Sequence, residues 1–139
     1  VRVIVTGSRD WDDPRVVREA IVSRLRVLPN RTDTTIVHGA ARGVDNIAAF
    51  EANMLGFRVE PHPADWDEHD RDGVSGVRCL CRDHAPVCPA AGPRRNEAMA
   101  RLGADLCLAF PNGPSPGTTD MIRRAGQHGI PVEIIGEFA

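Results

Sequence analysis

Apolar positions along the chain follow two alternating rhythms. Arg2 to Thr6 is a short β-branched run stopped by Gly7, with the length and composition of a buried strand. Asp13-Pro14 then supplies a helix start, a side-chain cap followed by proline at the first helical position. Val16, Val17, Ala20, Ile21, Leu25 and Leu28 recur behind it at the spacing of one helical face. Thr34 to Val37 predicts a second strand, ending at His38-Gly39. Helical spacing returns from Val44 through Ile47, Ala48 and Leu55 until Gly56, which can take the left-handed position after a helix. Phe57 to Glu60 predicts a third strand. After an irregular stretch, 61–92, the pattern predicts a helix over Arg94 to Leu102, a compact buried strand over Leu106 to Phe110, a helix over Thr118 to His128 and a last strand over Val132 to Ile135.

Buried strands alternating with amphipathic helices predict an α/β fold, a Rossmann-like three-layer sandwich around a mostly parallel sheet. A chain of 139 residues accommodates one such domain over 1–139, with an insertion at about residues 67–90. Ligands of these folds bind beyond the carboxyl ends of the strands. Here GSRDW, HGAARGVD, PHPADW and FPNGPSPGTTD follow strands one to four.

Composition narrows the partners. All 17 basic residues are arginine, against 19 acidic ones, and the net charge of −2 gives no polycationic surface, which argues against a nucleic-acid partner. No stretch approaches the ~18 apolar residues of a membrane span. Cytoplasmic residence with reduced thiols is therefore the expectation.

The loop content points to a phosphorylated small molecule. Gly39, Gly43 and Gly117 remove side chains where backbone N–H groups can face an anion, and the helices starting near Val44 and Thr118 would aim their positive ends at it. Ser8 and Thr118 offer hydroxyls, and Arg9 with Arg94 or Arg95 offers forked donors to phosphate. A nucleotide or nucleotide-derived ligand fits this inventory. Glycines after strands also serve plain tight turns, and no GxGxxG fingerprint is present. Trp11 and Trp66 lie in these loops, where either can stack on a base or pack the loop onto the core.

TGSRDW, HGAARGVDNIA, HPADW, AGPRRNEAM and PGTTDMIRRA, in that order, resemble the YspA-like group of the SLOG superfamily and, more distantly, LOG-type phosphoribohydrolases of the lysine decarboxylase-like kind. The resemblance implies a Rossmann-like domain that binds nucleotide-derived ligands, as a sensor or as an N-glycosidase acting on nucleoside 5′-monophosphates; a DNA-associated role ranks third. It implies no redox cofactor, and a homo-oligomer is compatible with it. By motif, Gly7, Ser8 and Arg9 fall in the first loop, Gly39, Gly43 and Asp45 in the second, Arg94, Arg95 and Asn96 in the third element, and Gly117, Thr118 and Asp120 in the phosphate loop; Trp11 adjoins the first. In the hydrolases a PGGxGT motif is followed by paired glutamates. SPGTTD keeps Gly117 and Thr118 but sets Asp120 and Met121 at the glutamate positions. Were the chain a hydrolase, Asp120 would be the first choice for the carboxylate beside the ribose and Asp45 the second, with Arg94 or Arg95 orienting phosphate or hydroxyls. Either acid can equally serve only to complement a helix dipole.

RCLCRDHAPVC lies inside the insertion, which has too few large apolar residues to fold by burial alone. Cys79, Cys81, His84 and Cys88 have the composition of a structural zinc site, closed by its four protein ligands. Unpaired thiols, a labile disulfide and a redox cysteine are the other readings. Cys107 falls within the fourth strand and reads as a small buried apolar residue.

Overall fold

The computed structural model describes residues 1–25, 33–82 and 85–139. Strands β1 (Arg2–Gly7), β2 (Thr35–His38), β3 (Arg58–Pro61), β4 (Leu106–Phe110) and β5 (Val132–Ile134) alternate with helices α1 (Pro14–Leu25), α2 (Val44–Met54), α3 (Ala91–Arg101) and α4 (Pro116–Gln127). The strands form one sheet in the order β3-β2-β1-β4-β5, and every pairing is parallel. The fold is thus a Rossmann-like α/β sandwich.

Side chains alternate across the pleat and so divide the core between two faces. Val3 and Val5 of the central strand turn to one face and pack with Val17 and Ile21 of α1 and with Val44 and Ala48 of α2. Ile4 turns to the other, against Met99 of α3 and Met121 and Ala125 of α4. Each large aliphatic side chain buried in this way contributes about 1.5–3 kcal/mol, so both helix layers are held by the strand they share. Cys107 is fully buried in the second face, and burial pushes its thiol up to about 12.

Helix α1 begins as its sequence indicates, with the Asp13 carboxylate accepting the Arg15 N–H at 3.0 Å. Its apolar stripe is buried at Val17, Ala20, Ile21 and Leu25, while Leu28 lies outside the described residues. Helix α3 starts three residues before the expected Arg94. The sequence Ala91-Gly92-Pro93 resembles a loop, but proline costs nothing in a first turn, where its missing N–H has no intrahelical partner.

Between β3 and α3, the described residues of segment 62–90 form neither helix nor strand. Local hydrogen bonds organise it. The Asp70 carboxylate accepts the Val74 N–H at 3.1 Å, the Ser75 N–H at 2.7 Å and the Ser75 hydroxyl. The Cys79 N–H donates to the Asp70 carbonyl at 2.8 Å, and the Cys88 N–H to the Trp66 carbonyl at 2.7 Å.

The order β3-β2-β1-β4-β5 contains one reversal of direction. From β1 the chain proceeds outward through α1 on one face, whereas α3 carries it back across to β4, and α4 continues on the other face. The loops leaving β1 and β4 therefore diverge and leave a crevice at the carboxyl end of the sheet.

Candidate functional site

That crevice has a volume of about 430 Å³ and is lined by the loop after β1, the start of α2, Arg95, Asn96 and Met99 of α3, and Pro114 to Thr118 at the start of α4. Ser8 ties the loops together. Its carbonyl accepts the Val44 N–H at 3.3 Å and its hydroxyl oxygen accepts the Asn112 N–H at 2.7 Å, which leaves the hydroxyl proton to donate elsewhere. Gly43 is held at φ 78°, and a Cβ there would lie 2.7 Å from the backbone of Arg9. Only glycine brings the start of α2 this close to the first loop.

Asp45 forms the floor of the crevice. Its side chain is nearly enclosed and accepts the backbone N–H groups of Gly39 at 2.9 Å and Ala41 at 3.4 Å. Burial pushes its carboxyl up to about 6, although those hydrogen bonds and the charges of Arg95 and Arg9 pull the other way. Arg95 lies across Gly39, where a Cβ would collide with its guanidinium, and donates to the Gly39 carbonyl and, through Nε, to Asn96 Oδ1 at 2.9 Å. Burial lowers its pKa, while Asp45 opposes that shift. Gly39 thus makes room for Arg95 and does not present its N–H to the crevice, because Asp45 takes that N–H.

Two further guanidiniums, those of Arg9 and Arg42, line the same crevice without a hydrogen-bonded carboxylate partner among the described residues. Across from them, α4 begins at Ser115 with no side-chain cap, while the Ser115 and Thr118 hydroxyls bond each other at 2.6 Å. A Cβ on Gly117 would meet nothing within 4 Å, so the first turn is open. Three arginines and an uncapped helix start face two carboxylates, Asp10 and Asp45, and the second of these is readily protonated. The arrangement supplies the kind of donors that an anion would need.

Of the remaining residues singled out in the sequence, Gly7 lines the crevice, while Trp11, Asp120 and Arg94 do not. Gly7 closes β1 under α2, at the crevice floor. Trp11 is packed edge-on against Phe110, with centroids 5.8 Å apart, and its indole N–H donates to the Asp13 carbonyl at 2.8 Å. Asp120 does not line the crevice. It accepts hydrogen bonds from Arg124 Nε at 2.9 Å, Arg123 at 2.9 Å and Asn96 Nδ2 at 3.0 Å. Burial opposes its ionisation, but the contacts from Arg124 and Asn96 prevail and hold it below the ordinary carboxylate range. Arg124 also bonds Glu97 at 3.1 Å, and Glu97 in turn meets Arg101 at 2.9 Å and His128 at 3.0 Å. Asp120 is therefore one end of an ion-pair network joining α3 to α4. Arg94 turns away from the crevice and donates to the Glu68 carbonyl at 3.1 Å and to Cys88 Sγ at 3.5 Å.

Arg94 leads to the second cluster. Donor atoms of His69, Cys79, Cys81 and Cys88 all lie within 4.8 Å of one another, a possible metal-binding site. His84, the histidine expected from spacing, lies outside the described residues. His69 is oriented for a ligand's role: its Nε2 is 2.9 Å from the Ala85 carbonyl, which fixes the proton there, and its Nδ1 faces Cys79 Sγ at 3.2 Å. Cys79 and its own burial push the Cys81 thiol up to about 11. Burial also resists ionisation of Cys88, yet Cys79, the Ala90 amide and Arg94 bring its thiol below the ordinary range. Three thiols this close cannot all ionise without a cation among them.

Sequence reasoning passed over Arg42, Ser115 and His69. The signal for Arg42 was present, since it sits between Gly39 and Gly43 in a loop already recognised. For His69 the only signal was its place in the acidic run DEHDRDG, ten residues before Cys79.

A parallel sheet with a cationic crevice at its reversal point is the build of a Rossmann-like small-molecule site. The chain belongs to the YspA, cpYpsA-related SLOG family, whose match covers residues 1–69. It is 40% identical over 141 residues to the Gene 61 protein of Mycobacterium phage D29, an alignment spanning 98% of this chain and 97% of that protein. No solved structure is a significant match. Among the described residues no helix is long and apolar enough to cross a membrane.

Proposed function

We propose that the crevice binds the phosphate of a nucleotide or nucleotide-derived molecule. Membership of the SLOG family points to nucleotide-related ligands in general. The observation that carries the finer reading is the convergence of Arg9, Arg42 and Arg95 on the uncapped start of α4, with none of the three hydrogen-bonded to a carboxylate among the described residues. Phosphate seated there would receive charge-assisted hydrogen bonds from the guanidiniums and backbone N–H groups from the first turn.

Calorimetry with ribose 5-phosphate and the four ribonucleoside 5′-monophosphates tests this. Saturable binding is expected, weakened about tenfold or more in Arg42→Met, the loss typical of one hydrogen bond to a charged group. No saturable binding up to about 1 mM, the weak end of small-molecule recognition, refutes it.

A specific observation favours a second reading, hydrolysis of the N-glycosidic bond. Asp45 faces the crevice with its pKa at about 6, so near neutrality it can both hold and release a proton. It replaces Asp120 as the acid to consider, since Asp120 is committed to Arg124 and Arg123. In this reading Asp45 would position water or stabilise positive charge at the anomeric carbon. Chromatographic release of free base from a nucleoside monophosphate, abolished by Asp45→Asn, is the expected result; no release by the unaltered protein leaves binding without turnover.

The four soft donors of segment 62–90 fit zinc, and because all four come from the protein the ion would be structural. His69, Cys79, Cys81 and Cys88 would hold it, with Arg94 offsetting the excess negative charge through Cys88. A zinc content near one per chain is the expected result of elemental analysis.

A further inference from the structure

Adjoining the crevice lies a groove of about 460 Å³, which shares Arg9, Arg42 and Arg95 with it and counts Trp66 in its lining. We infer that this groove receives the aromatic base of the ligand against the face of Trp66, and that the cysteine-histidine cluster holds Trp66 in place. The inference rests on the crevice taking the ligand's phosphate.

The two tryptophans behave differently. Trp11 is fixed on Phe110 and its N–H is used, whereas Trp66 is 36% exposed and its indole N–H has no partner among the described residues. An exposed indole with a free donor is an incomplete contact. The Arg9 guanidinium lies over the ring, 5.9 Å from the centroid, and is itself exposed. A planar base can take the ring face and receive Arg9 on its other side, since guanidinium and indole both stack on π systems. The lining leaves room for a flat ring, because it includes Gly39, Ala40, Ala41 and Ala64, whose side chains are no larger than a methyl. Ala40 is held at φ 56°, the one positive φ among described non-glycine residues. Strain of this kind is tolerated where the surroundings fix a binding surface.

Trp66 is also anchored. Its carbonyl accepts the N–H of Cys88 at 2.7 Å, and Arg94 spans from the Glu68 carbonyl to Cys88 Sγ. On the other side the indole lies against Gly92 of α3, where a Cβ would be 3.2 Å from the ring. The backbone that carries Trp66 is therefore hydrogen-bonded to a residue of the cluster.

Calorimetry compares each nucleoside 5′-monophosphate with ribose 5-phosphate, which has the phosphate and sugar but no base. In the unaltered protein at least one base is expected to add about fivefold or more in affinity, the range of one base stacking on an aromatic side chain. Trp66→Leu should abolish that increment and leave ribose 5-phosphate unchanged, while Trp66→Phe keeps most of it. In Trp11→Phe, where Trp66 is the sole fluorophore, emission should respond to the monophosphate and not to ribose 5-phosphate. Stripping metal with a chelator should reduce the increment as Trp66→Leu does. An increment that survives Trp66→Leu overturns the subsite while the phosphate reading stands. Failure of the unaltered protein to bind either ligand overturns both. An increment unchanged after metal loss, or protein that carries no metal as purified, overturns the role given to the cluster.

Discussion

Asp45→Asn isolates the buried acid. Enclosure raises the Asp45 carboxyl from 3.8 to about 6, so folding favours its protonated form. The sign follows from linkage: well below pH 3.8 the group is neutral in both folded and unfolded chains and costs nothing. Between that value and about 6 the unfolded chain ionises while the folded chain keeps its proton, and the penalty grows to about 3 kcal/mol, its full size above pH 6. Asparagine has the same shape, keeps an oxygen for the N–H groups of Gly39 and Ala41, and stays neutral. The substitution should therefore stabilise the protein by about 3 kcal/mol at pH 8 and by only about 0.5 kcal/mol near pH 4. With an unfolding entropy of about 2.1 cal/mol/K per residue, that gain raises Tm by about 10 °C. Thermal melts of both proteins across pH 4 to 8 measure it, and every other titrating group cancels in the difference. A Tm difference that does not change with pH, or a loss of stability at pH 8, refutes the reasoning. Burying an acid at this cost makes sense where its charge state is used, as beside a bound anion.

Asp120→Asn should leave ligand affinity in the crevice nearly unchanged and cost on the order of 2 kcal/mol in chemical denaturation, because Arg124, only 11% exposed, loses one of its two carboxylates. Cys88→Ser should remove the metal and speed proteolysis within 67–90 with little change in global Tm, since the core packed on the two faces of the sheet includes no residue of that segment. His69→Ala should abolish metal content and His84→Ala should retain it, read by elemental analysis; the reverse result would restore the assignment by spacing.

The sheet and helices were legible because each element announces itself locally. Val3, Val5 and Ile4 alternate, and Val17, Ile21 and Leu25 repeat, on patterns that need no tertiary information. The start of α3 was hidden because Gly92 and Pro93 punctuate turns in most contexts, and only the packing against Trp66 shows why glycine stands there. Motif resemblance drew attention to loops that line the crevice but could not rank the acids within them. Asp120 and Asp45 each sit near the start of a helix, and what separates them is that Arg123 and Arg124 fall one turn after Asp120 and reach back to it. That pairing was available in the sequence as an i,i+4 rule. His69 was not, because the chain must fold back on itself to bring it beside Cys79, and no periodicity records such a return.

Arg94 and Arg95 are neighbours in the chain but about 100° apart around α3, and each serves a different region: one meets Cys88, the other lies over Gly39. Because the two residues are identical, a one-residue insertion ahead of the pair that slips the helix register still delivers a guanidinium across Gly39. The same slip brings Pro93 to the position facing Cys88, where it has nothing to donate. A one-residue deletion there does the reverse, bringing Arg95 to face Cys88 and Asn96 across Gly39, so the doubled arginine protects each region against a slip in one direction only.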